Sequence, residues 1–408
     1  MTQQIKTASG VRIICEHMPY ARSVSMGIWV NAGSNHERLE EAGLAHFIEH
    51  MLFKGTTTRS AKEIAEQFDR LGGELNAFTS KESTCYHTTV LSKDAPYAFE
   101  MLIDMLTNSV FDPVEIAREK EVILEEIAMC EDTPDDEVHE KLWEVMYKDH
   151  PFGKPVLGTP SSVQKFTSEM IRAFMERLYV KDRIVISVAG NLEPSFLARV
   201  EQLCAQFLDN KQGAQPALEK PSFHHGESVL YKEIEQAHYC IGYPSISHQD
   251  ERKYALGLID SIIGSSMSSR LFQEVREKLG LAYAIYSYYS IYEEGGAFVI
   301  YGGTALEKLP LLKQTILAQM DLLLAEGVTD VEMEQAKQAV KNSFLLALET
   351  TESVMTRNGQ QLVLTNQLIT VETVLEKVEQ VTKREVEALL VELFSHPFAE
   401  STIMPNKE

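Results

Sequence analysis

The sequence predicts an α+β protein of two homologous two-layer α/β domains, each a largely antiparallel mixed sheet with helices packed on one face. Three observations lead there. The chain has 408 residues, and at about 150 residues per domain this gives two or three domains. A stretch without apolar periodicity, DNKQGAQPALEKPSFHHG from Asp209 to Gly226, divides the chain into nearly equal parts. The two parts also resemble each other. Residues 71–80 (LGGELNAFTS) align with residues 279–288 (LGLAYAIYSY), each a helical pattern ending at Leu-Gly and followed by a strand-like run. Val114, Glu115 and Lys120 likewise align with Val331, Glu332 and Lys337. The expected boundaries are a first domain at 1–212, a linker at 213–226 and a second domain at 227–408.

In the first half, residues 11–15 and 23–31 alternate or carry β-branched runs, as strands do. Residues 42–53 and 60–71 have helical spacing. Strands follow at 74–78 and 83–91, then two long helices at 95–110 and 113–147, then a strand at 183–189 ending at Gly190-Asn191. Runs of strands followed by runs of helices favour α+β layers over strict βα alternation.

Composition removes several functions. Apolar residues make up 44% and charged residues 24%, which excludes a disordered or collagen-like chain. The net charge of −22 argues against sequence-independent nucleic-acid binding, which depends on neutralising phosphates, and makes basic peptides plausible ligands. Cys15, Cys85, Cys130, Cys204 and Cys240 are odd in number and scattered, without a CxxC pair, as expected of reduced thiols in a cytoplasmic protein. The first ten residues lack an apolar signal region, and no run of about 18 apolar residues exists, so neither secretion nor a membrane span is expected.

The chemistry-bearing motif is His46-Phe47-Ile48-Glu49-His50. On a helix, His46 and His50 lie about 40° apart, one turn above each other, with Glu49 on the same side. Two imidazoles so placed can bind one Zn²⁺, and the adjacent carboxylate can take a proton from a water on the metal. This order is the inverse of H-E-x-x-H and belongs among the metallopeptidase motifs. Five residues also match by chance, and paired helical histidines are often structural, so a third ligand is needed.

The helix beginning at Asp112-Pro113 supplies candidates. Asp112 suits the N-cap, Pro113 the first helical position and Glu115 the capping-box position. Ile116, Ile123, Ile127 and Cys130 define an apolar face, and Glu119 and Glu126 fall about 40° and 60° from Ile123, at its edge. Glu121 and Glu125 point away. Carboxylates beside an apolar stripe usually have a partner. One of Glu119 and Glu126 can bind metal while the other orients a ligand or a water. The duplication provides a control: Tyr254, Gly257 and Leu258 stand opposite His46, Glu49 and His50, and Ala336 and Ser343 opposite Glu119 and Glu126. The polar set is absent as a group from the second copy, so the fold does not require it.

With these residues in place, the chain resembles the pitrilysin/insulinase family of zinc peptidases over its whole length. It is most similar to the short branch that includes the mitochondrial processing peptidase β subunit and bacterial relatives. In that family the metal-binding glutamate follows the second histidine at the distance that separates His50 from Glu126. The resemblance thus implies His46, His50 and Glu126 as ligands of one Zn²⁺ per chain, Glu49 as the general base and Glu119 as the supporting glutamate. Gly72-Gly73-Glu74-Leu75-Asn76-Ala77-Phe78-Thr79 matches the family's substrate-pairing edge strand, which implies substrate contacts for Asn76, Ala77, Phe78 and Thr79. Arg276 and Tyr283 match a pair that assists the substrate carbonyl or oxyanion. Longer family members enclose a chamber between two such halves, and this chain has one, so the resemblance implies a homodimer.

The expected function is zinc-dependent endopeptidase action on peptides or unfolded polypeptides, with no nucleic-acid or membrane partner. The alternative is a non-catalytic peptide-binding or scaffold subunit of the same family. The complete polar set argues against it, and three ligands with an open position argue against a closed structural metal site.

Overall fold

A computed structural model describes residues 2–6, 10–148, 150–207 and 220–406. It contains two sheets. The first is formed by β1 (Thr2–Lys6), β2 (Arg12–His17), β3 (Ser23–Val30), β4 (Glu74–Thr79), β5 (Thr84–Leu91) and β6 (Ile184–Gly190), in the order β1-β2-β6-β3-β5-β4. The second is formed by β7 (Gly226–Lys232), β8 (Gln236–Ser245), β9 (Ala282–Tyr292), β10 (Gly295–Ala305) and β11 (Ala399–Pro405), in the order β7-β11-β8-β10-β9. Without β1, which residues 2–6 gave no sign of in the sequence, the two orders are the same path. Each sheet has one parallel pair, β2 with β6 and β7 with β11, and is otherwise antiparallel. The duplication read from short matches is therefore a duplication of topology.

The helices of the first half that matter to the site are α1 (Leu44–Met51), α2 (Ala61–Leu71), α3 (Ala95–Asn108), α4 (Pro113–Asp132) and α5 (Pro134–Met146). The single helix expected at 113–147 is thus two. Pro134 has no amide hydrogen and its ring disfavours helical geometry at the preceding residue, and Thr133 accordingly leaves the helix at φ −105°, ψ 94°.

That break changes the domain description. Among the described residues, one compact unit comprises the chain up to residue 127, 155–207 and 347–368; the other comprises 128–154, 220–346 and 369–406. The expected cut at 213–226 separates the two sheets but not the compact units, because each unit contains a helix from the other half of the sequence. Residues 213–219 of the expected linker lie outside the described residues.

Each sheet carries its layer of helices on one face, and a single further helix covers the other. In the first unit, one face packs Ile13, Met26, Ile28, Tyr86, Ile186 and Val188 against Phe47 of α1, Phe99 of α3 and Phe174 of the Ser168–Leu178 helix. The opposite face, with Ile14, Trp29, Cys85, Val185 and Ala189, is covered by Met355, Leu362 and Val363 of the Thr351–Thr365 helix. In the second unit the Lys253–Ile263, Leu309–Glu326 and Lys383–Phe394 helices cover one face. Val138, Leu142 and Met146 of α5 cover the other, against Cys240, Ala297, Val299 and Ile403.

The exchanged helices sit close because glycines admit them. A Cβ on Gly27 of β3 would lie 2.6 Å from Met355 Sδ, and one on Gly242 of β8 would lie 2.5 Å from Met146 Sδ. Buried hydroxyls complete the first of these interfaces: Ser25 Oγ and Thr351 Oγ1 are 2.8 Å apart, and Ser187 Oγ donates to Met355 O at 2.7 Å.

Candidate metal centre

α1 is short, and two features fix its start. Gly43, at φ 88°, occupies the left-handed region that side chains avoid. The Glu37 carboxylate accepts from Gly43 N at 2.9 Å and Ala45 N at 2.8 Å, meeting two donors at the helix N-terminus. Burial raises Glu37 to about 8 against these two hydrogen bonds. Leu44, Ala45, Phe47, Ile48 and Met51 are buried, which leaves His46, Glu49 and His50 together on the remaining side. α4 is capped as its sequence suggests: Asp112 Oδ1 accepts from Val114 N at 2.7 Å. Glu115 instead pairs with Arg118.

α1 and α4 meet at the site. His46 Nε2 lies 3.8 Å and His50 Nε2 3.7 Å from Glu126 Oε2, and the ligand atoms of the three residues all fall within 4.8 Å of one another. Ligands held tetrahedrally at about 2.0–2.1 Å from a zinc ion stand about 3.4 Å apart, so each histidine–Glu126 separation is a few tenths of an ångström longer than coordination sets. His50 Nδ1 donates to Glu119 Oε1 at 2.8 Å, which fixes the tautomer and leaves the Nε2 lone pair facing Glu126. Glu126 Oε2 is a buried acceptor with no hydrogen-bond donor. An imidazole lone pair and a carboxylate oxygen directed at one point repel unless a cation lies between them. The donor set, two imidazoles and a carboxylate, suits Zn²⁺. These residues fit the metal.

The charges are tuned around that point. His46 is pushed down to about 4, first by burial and then by His50. For His50, burial opposes the charge, but the Glu119 hydrogen bond and the Glu126 carboxylate outweigh it and the net shift is upward. Burial raises Glu49 above the ordinary carboxylate range against an opposing hydrogen bond from Thr79, whose Oγ1 donates to Glu49 Oε2 at 2.5 Å. Glu119 is 3% exposed, within the Ile116–Ile123–Ile127 stripe rather than at its edge. Burial works to raise it, and hydrogen bonds from His50 and Lys54 overcome that and hold it low.

β4 is an edge strand, hydrogen-bonded to β5 on one side only. Asn76 and Phe78 are exposed, and the Phe78 ring packs edge-on to Trp29 at 5.4 Å. Thr79 ends the strand next to Glu49, so one residue joins the strand to the carboxylate. Arg276 and Tyr283 belong to the second unit. There they contact each other: the Arg276 guanidinium lies 4.5 Å from the Tyr283 ring centroid, and its Nη1 donates to Tyr283 O at 3.1 Å. Tyr283 is 81% exposed.

Sequence reasoning missed two participants, Lys54 and Glu37, and a second role for Thr79. Lys54 Nζ lies 2.5 Å from Glu119 Oε2; the i, i+4 series His46, His50, Lys54 was the available signal. Glu37 caps α1 from only six and eight residues away, and the Thr79–Glu49 bridge spans thirty residues; neither role had a motif to mark it. His87 is buried, lowered by burial, and faces Glu352 at 3.7 Å, a packed residue rather than a ligand.

Comparison with known proteins agrees with this class. Residues 12–160 match the family described as insulinase (peptidase family M16), and residues 165–340 match the description "Peptidase M16 inactive domain". The chain is 44% identical to a Bacillus subtilis protein named uncharacterized zinc protease YmxG, over 100% of this chain and 99% of that one. It is 37% identical to an uncharacterized zinc protease of Rickettsia felis, over 98% and 97%. In fold it is similar to a protease from Helicobacter pylori, with a TM-score of 0.93 at 20% identity over 99% of each chain. The chain belongs to the insulinase family of metallopeptidases, peptidase family M16. Among the described residues, His46, His50 and Glu126 form the one cluster suited to a metal, and no helix is long and apolar enough to cross a membrane.

Proposed function

We propose that this chain is a zinc-dependent endopeptidase that hydrolyses peptides or unfolded polypeptides. The observation that carries the reading is the convergence of His46, His50 and Glu126 on one point with Glu49 on the same turn of α1. His46, His50 and Glu126 hold the metal, one ion per chain. Zinc bound there supplies an acidified water and polarises the scissile carbonyl. Glu49 accepts the proton of the attacking water and delivers it to the leaving amine. Its raised proton affinity suits that double role, and Thr79 fixes the carboxylate oxygen it does not use. Glu119 orients His50 through Nδ1. The free edge of β4, from Asn76 to Thr79, receives the substrate as an added strand, which reads backbone more than side chains.

Arg276 and Tyr283 assist the carbonyl as donors toward developing negative charge. In a homodimer that encloses the site, they act on the partner chain's substrate. A cytoplasmic setting agrees with five free cysteines. Two experiments test the reading. The first measures metal content and quenched-peptide hydrolysis on one sample, with and without chelator. About one zinc per chain, with activity lost on chelation and restored by Zn²⁺, supports it; stoichiometric zinc without cleavage of basic or unfolded peptides moves the chain to a binding or scaffold role. The second mixes Arg276→Ala and Glu49→Gln chains. Recovered turnover supports sharing in trans, and none in verified heterodimers rejects it.

A further inference from the structure

We propose that Lys54 is a positioning residue of the metal centre, acting through Glu119 on His50. The inference rests on the zinc reading above and extends it to a residue outside the motif. His46, His50 and Lys54 lie at successive i, i+4 positions, so the lysine continues the line of the two imidazoles one turn further. The chain there is held in the turn that closes α1: Phe53 N donates to His50 O and Lys54 N to Met51 O, each at 3.1 Å. Gly55, at φ 113°, then turns it away. Lys54 Nζ meets Glu119 Oε2 at 2.5 Å while Glu119 Oε1 takes the His50 Nδ1 hydrogen at 2.8 Å. Each oxygen of a buried carboxylate thus has one committed partner, and the lysine fixes which oxygen is left for the histidine.

The charge balance explains why a cation belongs there. Glu49, Glu119 and Glu126 surround a site for a divalent ion and exceed its charge by one. Among the described residues, Lys54 is the one lysine or arginine ion-paired with any of them. Removing it leaves Glu119 buried with an unpaired oxygen beside two other carboxylates. It is then free to rotate, which loosens the hydrogen bond that sets the His50 tautomer.

The test uses the full chain and reads zinc affinity by competition with a chromophoric chelator, so it does not depend on turnover. Lys54→Met, close in length but uncharged, is expected to weaken zinc binding about 10–100-fold, as loss of an outer partner of a ligating histidine does. Lys54→Arg is expected to restore most of it. In the Glu119→Gln background the Lys54→Met effect should disappear, because the residue through which it acts is gone. Far-UV circular dichroism of the zinc-free variants controls for folding, and Lys54→Gln replaces Lys54→Met if the latter does not fold. Unchanged zinc affinity in folded Lys54→Met overturns the proposal, as does an equal loss in the Glu119→Gln background. A wild-type chain whose zinc binding is insensitive to His50→Ala overturns the zinc reading instead, so the two failures are distinguishable.

Discussion

The two units follow one strand path and differ in what their first helix carries. In the first, α1 presents His46, Glu49 and His50, and α4 adds Glu119 and Glu126. In the second, the Lys253–Ile263 helix has Tyr254, Gly257 and Leu258 at the aligned places, and the Asp330–Leu346 helix has Ala336 and Ser343. A similar connection is made in each, from aligned strand hydroxyls to acids at different helix positions. In the first unit Thr79 of the edge strand donates to Glu49 on the helix at 2.5 Å; in the second, Ser287 of the edge strand donates to Asp260 on the helix at 2.5 Å. A helix-to-edge-strand carboxylate bridge is therefore compatible with the fold in either copy. The proposed metal-ligating set is not required by it, since one copy folds without that set.

The comparison is sharpened most by matched removal of the two bridging acids. Glu49→Gln should lower kcat about 10²–10⁴-fold while zinc content is retained. Asp260→Asn should leave peptide hydrolysis within a factor of about two, since Asp260 belongs to the unit without the proposed metal site. Substantial turnover by Glu49→Gln, measured on a zinc-loaded sample, would break the functional asymmetry between the units.

The next effect concerns the exchanged helices. Replacing Met355 and Leu362 of the Thr351–Thr365 helix by Asp sets two charges against Ile14, Trp29, Cys85, Val185 and Ala189. Loss of cooperative unfolding is expected, seen as a missing near-ultraviolet dichroism signal and binding of a hydrophobic dye. A sharp native-like transition would instead make that helix an accessory.

A smaller effect tests the close packing. A Cβ on Gly359 would stand 2.1 Å from Trp29 Nε1. Gly359→Ala should cost about 1–3 kcal/mol in denaturant melts although alanine is the better helix former. Gly242→Ala, facing Met146 in the second unit, should cost less, because the thioether can move aside where the indole cannot.

The smallest effect is a pH dependence. Burial raises Asp260 from 3.8 to about 6, against the opposing Ser287 hydrogen bond. The folded state therefore holds this proton more tightly than the unfolded chain does. The associated stability is full below about pH 4 and is lost as pH rises through about 6. Asp260→Asn keeps an acceptor for Ser287 without the charge. It should gain on the wild type by on the order of 1–2 kcal/mol between pH 4 and pH 7. A pH-independent difference in thermal melts would remove Asp260 from the account.

Much of this protein is written locally. The alternation of strands, the apolar stripes of α1 and α4, the Asp112-Pro113 cap and the spacing of His46, Glu49 and His50 are properties of nearby residues, and helical periodicity alone places both imidazoles on one side. The topology of the second half could be inferred from that of the first, since Leu-Gly before a strand recurs at residues 71–72 and 279–280. Resemblance, not periodicity, chose Glu126 over Glu119 as the ligand. The structure gives a physical distinction: Glu126 Oε2 faces both Nε2 atoms with no donor, whereas Glu119 is occupied by His50 Nδ1 and Lys54. Pro134 and the nearby Glu37 were local signals for the division of residues 113–147 and for the cap of α1; only the tertiary structure decided the rest, the sheet that each amphipathic helix covers and the Lys54–Glu119–His50 chain. An apolar stripe records that a helix must be covered, and a carboxylate beside it that a partner is needed. Neither records which distant segment supplies the cover or the partner, because that is set by the path of the chain in space.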